Sequence, residues 1–338
     1  MTTADIDEIK ELLSLPKKVV ITSHLNPDGD AMGSSLALYH FLIQLNHTVQ
    51  VVVPSSYPDF LHWLPGNKGV VVYSQKTEEA NQYIASADLL FALDFNTPKR
   101  VGRMEDSLVG SNATKILIDH HPYPDDFAKY VLSETSASST AELIFDFIEM
   151  LGEKSRINKD VAECIYTGIL TDTGSFSYGS TTVKAHKVAG EMIACGADNL
   201  KVQAAIFQRN SLDRVRLLGY SLHKNLTLLE NFNAGYFALS RKELNRFKFK
   251  AGDTEGLVNY ALSVKDIHLA VLMLEREDNY VKMSFRSTGK FPANELASKY
   301  FNGGGHRNAA GGEFHGSLKE AVKKLAEVLQ NFQHGLSK

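Results

Sequence analysis

The sequence predicts an α/β protein. A doubly wound parallel sheet comes first, then a smaller α/β domain with a mixed sheet, and a helical linker joins them. Three observations lead there. Short apolar runs alternate with helical patterns through the first half, as in βαβ units. Two of those runs end in aspartate. From Gly235 the rhythm changes to strand-like runs closed by one final helix. A chain of 338 residues suits two domains with a core each. The expected boundaries are 1–207 for the first domain, 208–230 for the linker and 231–338 for the second.

The elements follow in order. The run from Lys18 to His24 is β-rich, 31–45 has helical spacing, and Val49–Val53 is strand-like. Leu89–Asp94 and Lys115–Asp119 are short apolar runs of the kind buried on both faces of a parallel sheet. Residues 138–226 read as mostly helical. Thr140–Leu151 stops before Gly152, a residue suited to a helix C-terminus, and Asn158 caps a helix from Lys159. Helical spacing continues over 183–195, 200–208 and 211–229, the last read as one long linker helix. In the second half, Gly235–Leu239, Ile267–Leu274 and Tyr280–Arg286 read as strands. Glu277-Asp278-Asn279 reads as a tight turn and Leu318–Phe332 as the closing helix.

Composition narrows the function. The formal net charge is −3, which excludes a protein that coats long nucleic acid but allows a short nucleotide substrate. Cys164 and Cys195 lie in apolar, helix-like surroundings and read as buried free thiols. The acidic, amphipathic N-terminus is unlike a secretory signal, and no apolar run approaches the ~20 residues that span a bilayer. A cytoplasmic location without membrane contact is expected.

Aspartate disfavours strand and helix interiors, yet here it recurs where apolar elements end. Asp28 and Asp30 follow the first strand in His24-Leu25-Asn26-Pro27-Asp28-Gly29-Asp30. Asp94 closes one strand, Asp119 closes another before His120 and His121, and Asp172 ends a helical run. In an open parallel sheet these acids converge on the carboxyl edge. Crowded carboxylates repel and call for cations. Oxygen-rich ligation with imidazole suits two divalent ions, Mn²⁺ first and Mg²⁺ second. Asp28 and Asp30 can address different ions from one tight turn, Gly29 permits an unusual backbone there, and Asp94 is the natural bridge. Far along the chain, Gly303-Gly304-Gly305-His306-Arg307-Asn308-Ala309-Ala310-Gly311-Gly312 reads as a glycine-rich loop. The backbone N–H groups at Gly304 and Gly305 can approach a phosphate while His306 donates to it. Arg286 can hold a second phosphate bidentately.

The ordered set His24-x-x-Pro27-Asp28-Gly29-Asp30, Asp94, Asp119-His120-His121 and Thr171-Asp172, followed by the Gly303–Gly312 signature, resembles the DHH phosphoesterase superfamily with its associated C-terminal domain. It is similar above all to the nanoRNase/pAp-phosphatase type. The resemblance implies one metal held by His24, Asp28 and Asp94, and a second held by Asp30, Asp94, His120 and Asp172. It casts Asp119 as the acceptor that orients a histidine and His121 as a catalytic group at the scissile phosphate. The implied activity is 3′–5′ hydrolysis of short RNA oligonucleotides, of 3′-phosphoadenosine 5′-phosphate (pAp), or of both, by metal-activated water. Cleavage of linear or cyclic dinucleotides such as pApA or c-di-AMP is the alternative. A manganese pyrophosphatase and a non-catalytic nucleotide sensor are weaker ones. Long duplex nucleic acid and membranes are not expected partners, and a homodimer is compatible with the sequence.

Overall fold

The structure, a computed structural model, describes residues 1–208, 210–277 and 279–333. The chain divides into two compact units, Met1–Arg209 and Asn210–Lys338.

The first unit is built on six strands: β1 Lys18–Thr22, β2 Thr48–Val53, β3 Val71–Val72, β4 Leu89–Leu93, β5 Thr114–Asp119 and β6 Tyr130–Ser133. Its helices are α1 Thr3–Leu13, α2 Gly29–Ile43, α3 Thr77–Ala85, α4 Glu105–Gly110, α5 Thr140–Met150, α6 Lys159–Asp172, α7 Val183–Ala194 and α8 Asn199–Phe207. The strands are ordered β3-β2-β1-β4-β5-β6, and every pair is parallel. Period-two alternation divides each strand between two cores. Val19, Ile21, Phe91, Leu93, Ile116 and Ile118 face the larger core under α1, α2 and α5–α8. Val20, Val52, Leu90, Ala92 and Leu117 face a smaller one under α3 and α4. Each such Val, Leu, Ile or Phe side chain contributes about 1.5–3 kcal/mol through burial, so a one-residue slip would forfeit both cores at once. The order reverses between β1 and β4, which opens a crevice at their carboxyl ends.

The second unit carries α9 Leu212–Tyr220, β7 Leu226–Leu229, β8 Ala234–Leu239, α10 Arg241–Arg246, α11 Leu257–Leu262, β9 Leu269–Glu277, β10 Tyr280–Ser287, α12 Ala293–Tyr300, β11 Gly304–His306, β12 Ala309–His315 and α13 Leu318–Gln333. Its sheet runs β11-β12-β10-β9-β8-β7; only β8 and β9 pair in parallel. Met273, Val281, Met283 and Phe285 pack beneath α12 and α13 on one face. Phe237, Leu239, Ala270 and Leu272 pack with Leu217, Leu244 and Leu257 on the other.

Several expectations change. Residues 211–229 are not one helix: α9 ends at Tyr220, a π-helical turn covers Ser221–Asn225, and β7 follows. Asn225 Nδ2 donates to Ala238 O and to Glu243 Oε1, which pulls the chain onto the sheet, where β7 pairs with β8. The glycine-rich segment is a β-hairpin. A side chain at Gly303 would meet Gly311 O at 2.0 Å, and one at Gly305 would meet Ala309 O at 2.6 Å, so the glycines permit two backbones to close on each other. Cys195 is only half-buried at the end of α7, whereas Cys164 is fully buried. The turn expected at Glu277-Asp278-Asn279 falls partly outside the described residues, although its flanking strands pair antiparallel. Among the described residues no helix is long and apolar enough to cross a membrane.

Candidate active site

The crevice between β1 and β4 collects the acidic loops. Asp28 follows β1 as the N-cap of α2, its Oδ1 accepting from Asp30 N and Ala31 N at 3.0 Å each. Such a cap is worth about 1 kcal/mol. One carboxylate oxygen thereby fixes the loop while Oδ2 lies 3.9 Å from His24 Nε2. Asp94, just beyond β4, has a left-handed backbone (φ 65°) and a buried side chain. A left-handed aspartate costs free energy, and this one is anchored by a bond from its N–H to Ile118 O at 3.1 Å. Asp119 ends β5, and Asp172 ends α6.

Helices α2 and α6 meet through small residues. A side chain at Gly33 would meet Cys164 O at 2.7 Å, and one at Gly168 would meet Ala141 Cβ at 2.4 Å and Asp30 Oδ1 at 2.8 Å. Gly29 has no left-handed torsion, contrary to the backbone reason expected for it. Its requirement is steric, because a side chain there would strike Thr171 at 2.4 Å. The close approach carries Asp172 to Asp30.

All six expected ligand side chains come together, in two sets. His24, Asp28 and Asp94 form one, and Asp30, His120 and Asp172 the other; within each set the ligand atoms lie within 4.8 Å of one another. Asp94 reaches both, with Oδ2 3.3 Å from His24 Nε2 and Oδ1 3.6 Å from His120 Nε2. His120 Nε2 also lies 3.9 Å from Asp30 Oδ2 and 3.7 Å from Asp172 Oδ2.

The three histidines are held differently. His24 Nδ1 donates to Leu25 O at 2.9 Å and His120 Nδ1 to Ala137 O at 3.4 Å, which leaves each Nε2 as the basic nitrogen facing the acids. His121 Nδ1 instead donates to Asp119 Oδ1 at 2.8 Å, inside a fully buried carboxylate. That bond fixes the orientation of the His121 ring and puts a proton on Nδ1.

The sequence reading missed the support behind these groups. Thr140 N and Ala141 N, at the first turn of α5, donate to Asp30 Oδ2 and Oδ1 at 2.6 and 2.9 Å. Thr140 Oγ1 donates to Asp94 Oδ1 at 2.9 Å. Ser139 caps that helix, while Glu142 Oε2 accepts from Ser138 N and Oγ. The Ser-x-x-Glu spacing is a helix-start signal in the sequence, but nothing in it announces a carboxylate docked there.

Electrostatics describe a site built for cations. Burial, then the neighbouring Asp94, Asp172 and Asp28, pushes the Asp30 carboxyl well above the usual range. Burial likewise opposes charge on Asp94, but His24, His121 and His120 outweigh it and lower its pKa. Burial works against charging His24 and His120 as well, and the surrounding carboxylates overcome it and raise both. Two sets of carboxylate and imidazole donors, each with a basic Nε2 and buried except for the exposed Asp28 and the half-buried Asp172, fit divalent cations.

In the second unit, Arg286 of β10 is opposite Ala309 of β12, which is opposite His306 of β11. Residues aligned across antiparallel strands share a face, so Arg286 and His306 present on one side of the sheet, with Gly304 two residues before His306 and Gly305 between them. Arg286 donates to Phe285 O at 3.0 Å. Asn308 ties the hairpin down, donating to Ser287 Oγ at 2.8 Å.

Residues 18–169 match the N-terminal domain of the DHH family, and residues 235–333 match the DHHA1 domain. The bifunctional oligoribonuclease and PAP phosphatase NrnA of Bacillus subtilis is 30% identical over 95% of this chain and 96% of its own length. The chain belongs to the DHH family. Its DHH and DHHA1 domains fall in different compact units, and as a DHH phosphoesterase it is a hydrolase. The NrnA protein of Thermus thermophilus is 31% identical over 92% of this chain and 89% of its own length. The crystal structure of an exopolyphosphatase-related protein from Bacteroides fragilis superposes with a TM-score of 0.94 at 41% identity, covering 100% of this chain and 98% of that one.

Proposed function

We propose that this DHH protein hydrolyses short oligoribonucleotides in the 3′–5′ direction and removes phosphate from pAp, with two divalent cations, Mn²⁺ first. The observation that carries the reading is the pair of three-residue donor sets joined by Asp94. Near-full-length similarity to proteins named oligoribonuclease and PAP phosphatase supports the substrate class.

His24, Asp28 and Asp94 would hold one cation; Asp30, Asp94, His120 and Asp172 would hold the other. Bound there, such a pair supplies Lewis acidity toward the phosphoryl oxygens and a nucleophilic water at neutral pH. The chain's own groups do the rest. Asp119 orients the His121 ring through Nδ1, and His121 acts as the general acid toward the leaving oxygen. Arg286, His306 and the N–H groups around Gly304 and Gly305 grip a phosphate that does not react.

The test is kcat/KM, side by side, on a short adenylate oligonucleotide, pAp, linear pApA and cyclic di-AMP with Mn²⁺. Oligonucleotides and pAp are expected to lead. Preference for the cyclic dinucleotide would reassign the substrate, and no turnover of any of them would refute an enzyme acting on nucleotides.

A further inference from the structure

Beyond the candidate ligands, a half-buried arginine of the DHH domain stands next to the first acidic loop. A 3-10 segment, Pro98–Met104, follows Asp94. Pro98, Val101 and Met104 are buried, Val101 and Met104 in the smaller core, which leaves Lys99, Arg100 and Arg103 on the outer side. The segment is locked to the first acidic loop. Leu25 N donates to Arg100 O at 2.7 Å, and Leu25 packs 3.6 Å from where a side chain on Gly102 would begin. Arg100 is half-buried, yet among the described residues its guanidinium meets no carboxylate and no hydrogen-bond acceptor. Through the bond from Leu25 N, the backbone of Arg100 stands beside the residue that follows His24, within a side chain's reach of the first donor set.

A guanidinium beside a cation site repels the cation and weakens the site, unless an anion stands between them. Its planar fork matches two oxygens of a phosphoryl group. We propose that Arg100 binds the reacting phosphoryl group from the His24 side, opposite in charge to it and alike in charge to the metals. This rests on the two-cation reading above and adds a contact from the DHH domain itself. During transfer, negative charge on the non-bridging oxygens is what such a cation stabilises.

The proposal gives opposite signs for two ligands, which a merely structural arginine would not. In Arg100→Ala, calorimetric titration of the metal-free protein should show Mn²⁺ bound as tightly as in the wild type or more tightly. Inorganic phosphate should bind the Mn²⁺-loaded variant about tenfold more weakly or worse. Arg100→Lys, which keeps charge but loses the fork, should fall between. Unchanged phosphate affinity overturns the proposal, and so does a joint loss of Mn²⁺ and phosphate affinity, the sign of damaged folding. The phosphate titration does not depend on the nucleotide: a wild type that cleaves none of the nucleotides loses the substrate reading while Arg100 is still judged. A wild type that binds no Mn²⁺ counts against both.

Discussion

The acids at strand ends could be read from sequence because aspartate has few reasons to close an apolar run. The side chains that aim them could not. Thr140 sits 46 positions from Asp94 and 110 from Asp30, yet it donates through Oγ1 to one and through N–H to the other. A threonine at a helix start is ordinary, so only the fold reveals that it joins the two candidate metal sets. Replacing it with valine keeps the shape and the N–H and deletes one hydrogen bond. Mn²⁺ affinity is expected to fall about tenfold in Thr140→Val, a typical loss for a partner of a metal ligand, with Thr140→Ser close to wild type. Thermal stability should change little, since one hydrogen bond is worth about 1 kcal/mol. Equal Mn²⁺ affinity in all three proteins, measured by calorimetry, would show that Thr140 does not position Asp94.

Among the elements, β1, β2, β4 and β5 and the long helices α2, α5, α6 and α7 were legible because their apolar residues are periodic and their caps are in place. Strand β3 has two residues and β6 has four, too few to declare a period. The Gly303–Gly312 hairpin was hidden by its composition: glycine signals a loop locally, but here it lets strand backbones close together. Glycines in helices divide the same way. Gly168 and Gly190 both lie inside helices, but a side chain at Gly168 would strike Ala141 and Asp30, while none of the neighbours lies within 4 Å of one at Gly190. Gly168→Ala is expected to destabilise the metal-free protein by about 1–3 kcal/mol through overpacking. Gly190→Ala should be neutral or stabilising by up to about 1 kcal/mol. Urea denaturation midpoints check both, and equal midpoints would mean that the contact between α2 and α6 is not what holds Asp30 and Asp172 together.

At the scale of the whole molecule, the parallel order β3-β2-β1-β4-β5-β6 explains why loops far apart in sequence share one crevice. The alternation of runs made that sheet legible, and with it the convergence of Asp28, Asp30, Asp94 and Asp119. The fold also accounts for the cost of the site. Buried carboxylates that lower stability when bare become ligands when cations arrive, so binding and stability are coupled. The most direct measurement is therefore the rate of AMP release from a short adenylate oligonucleotide by metal-free protein titrated with Mn²⁺. Two cations held by shared Asp94 lead to no release without metal, a rise that saturates only after about two equivalents, and loss of release in Asp94→Ala. Release that persists in excess chelator, or that survives intact in Asp94→Ala, would contradict a two-cation site bridged by that residue.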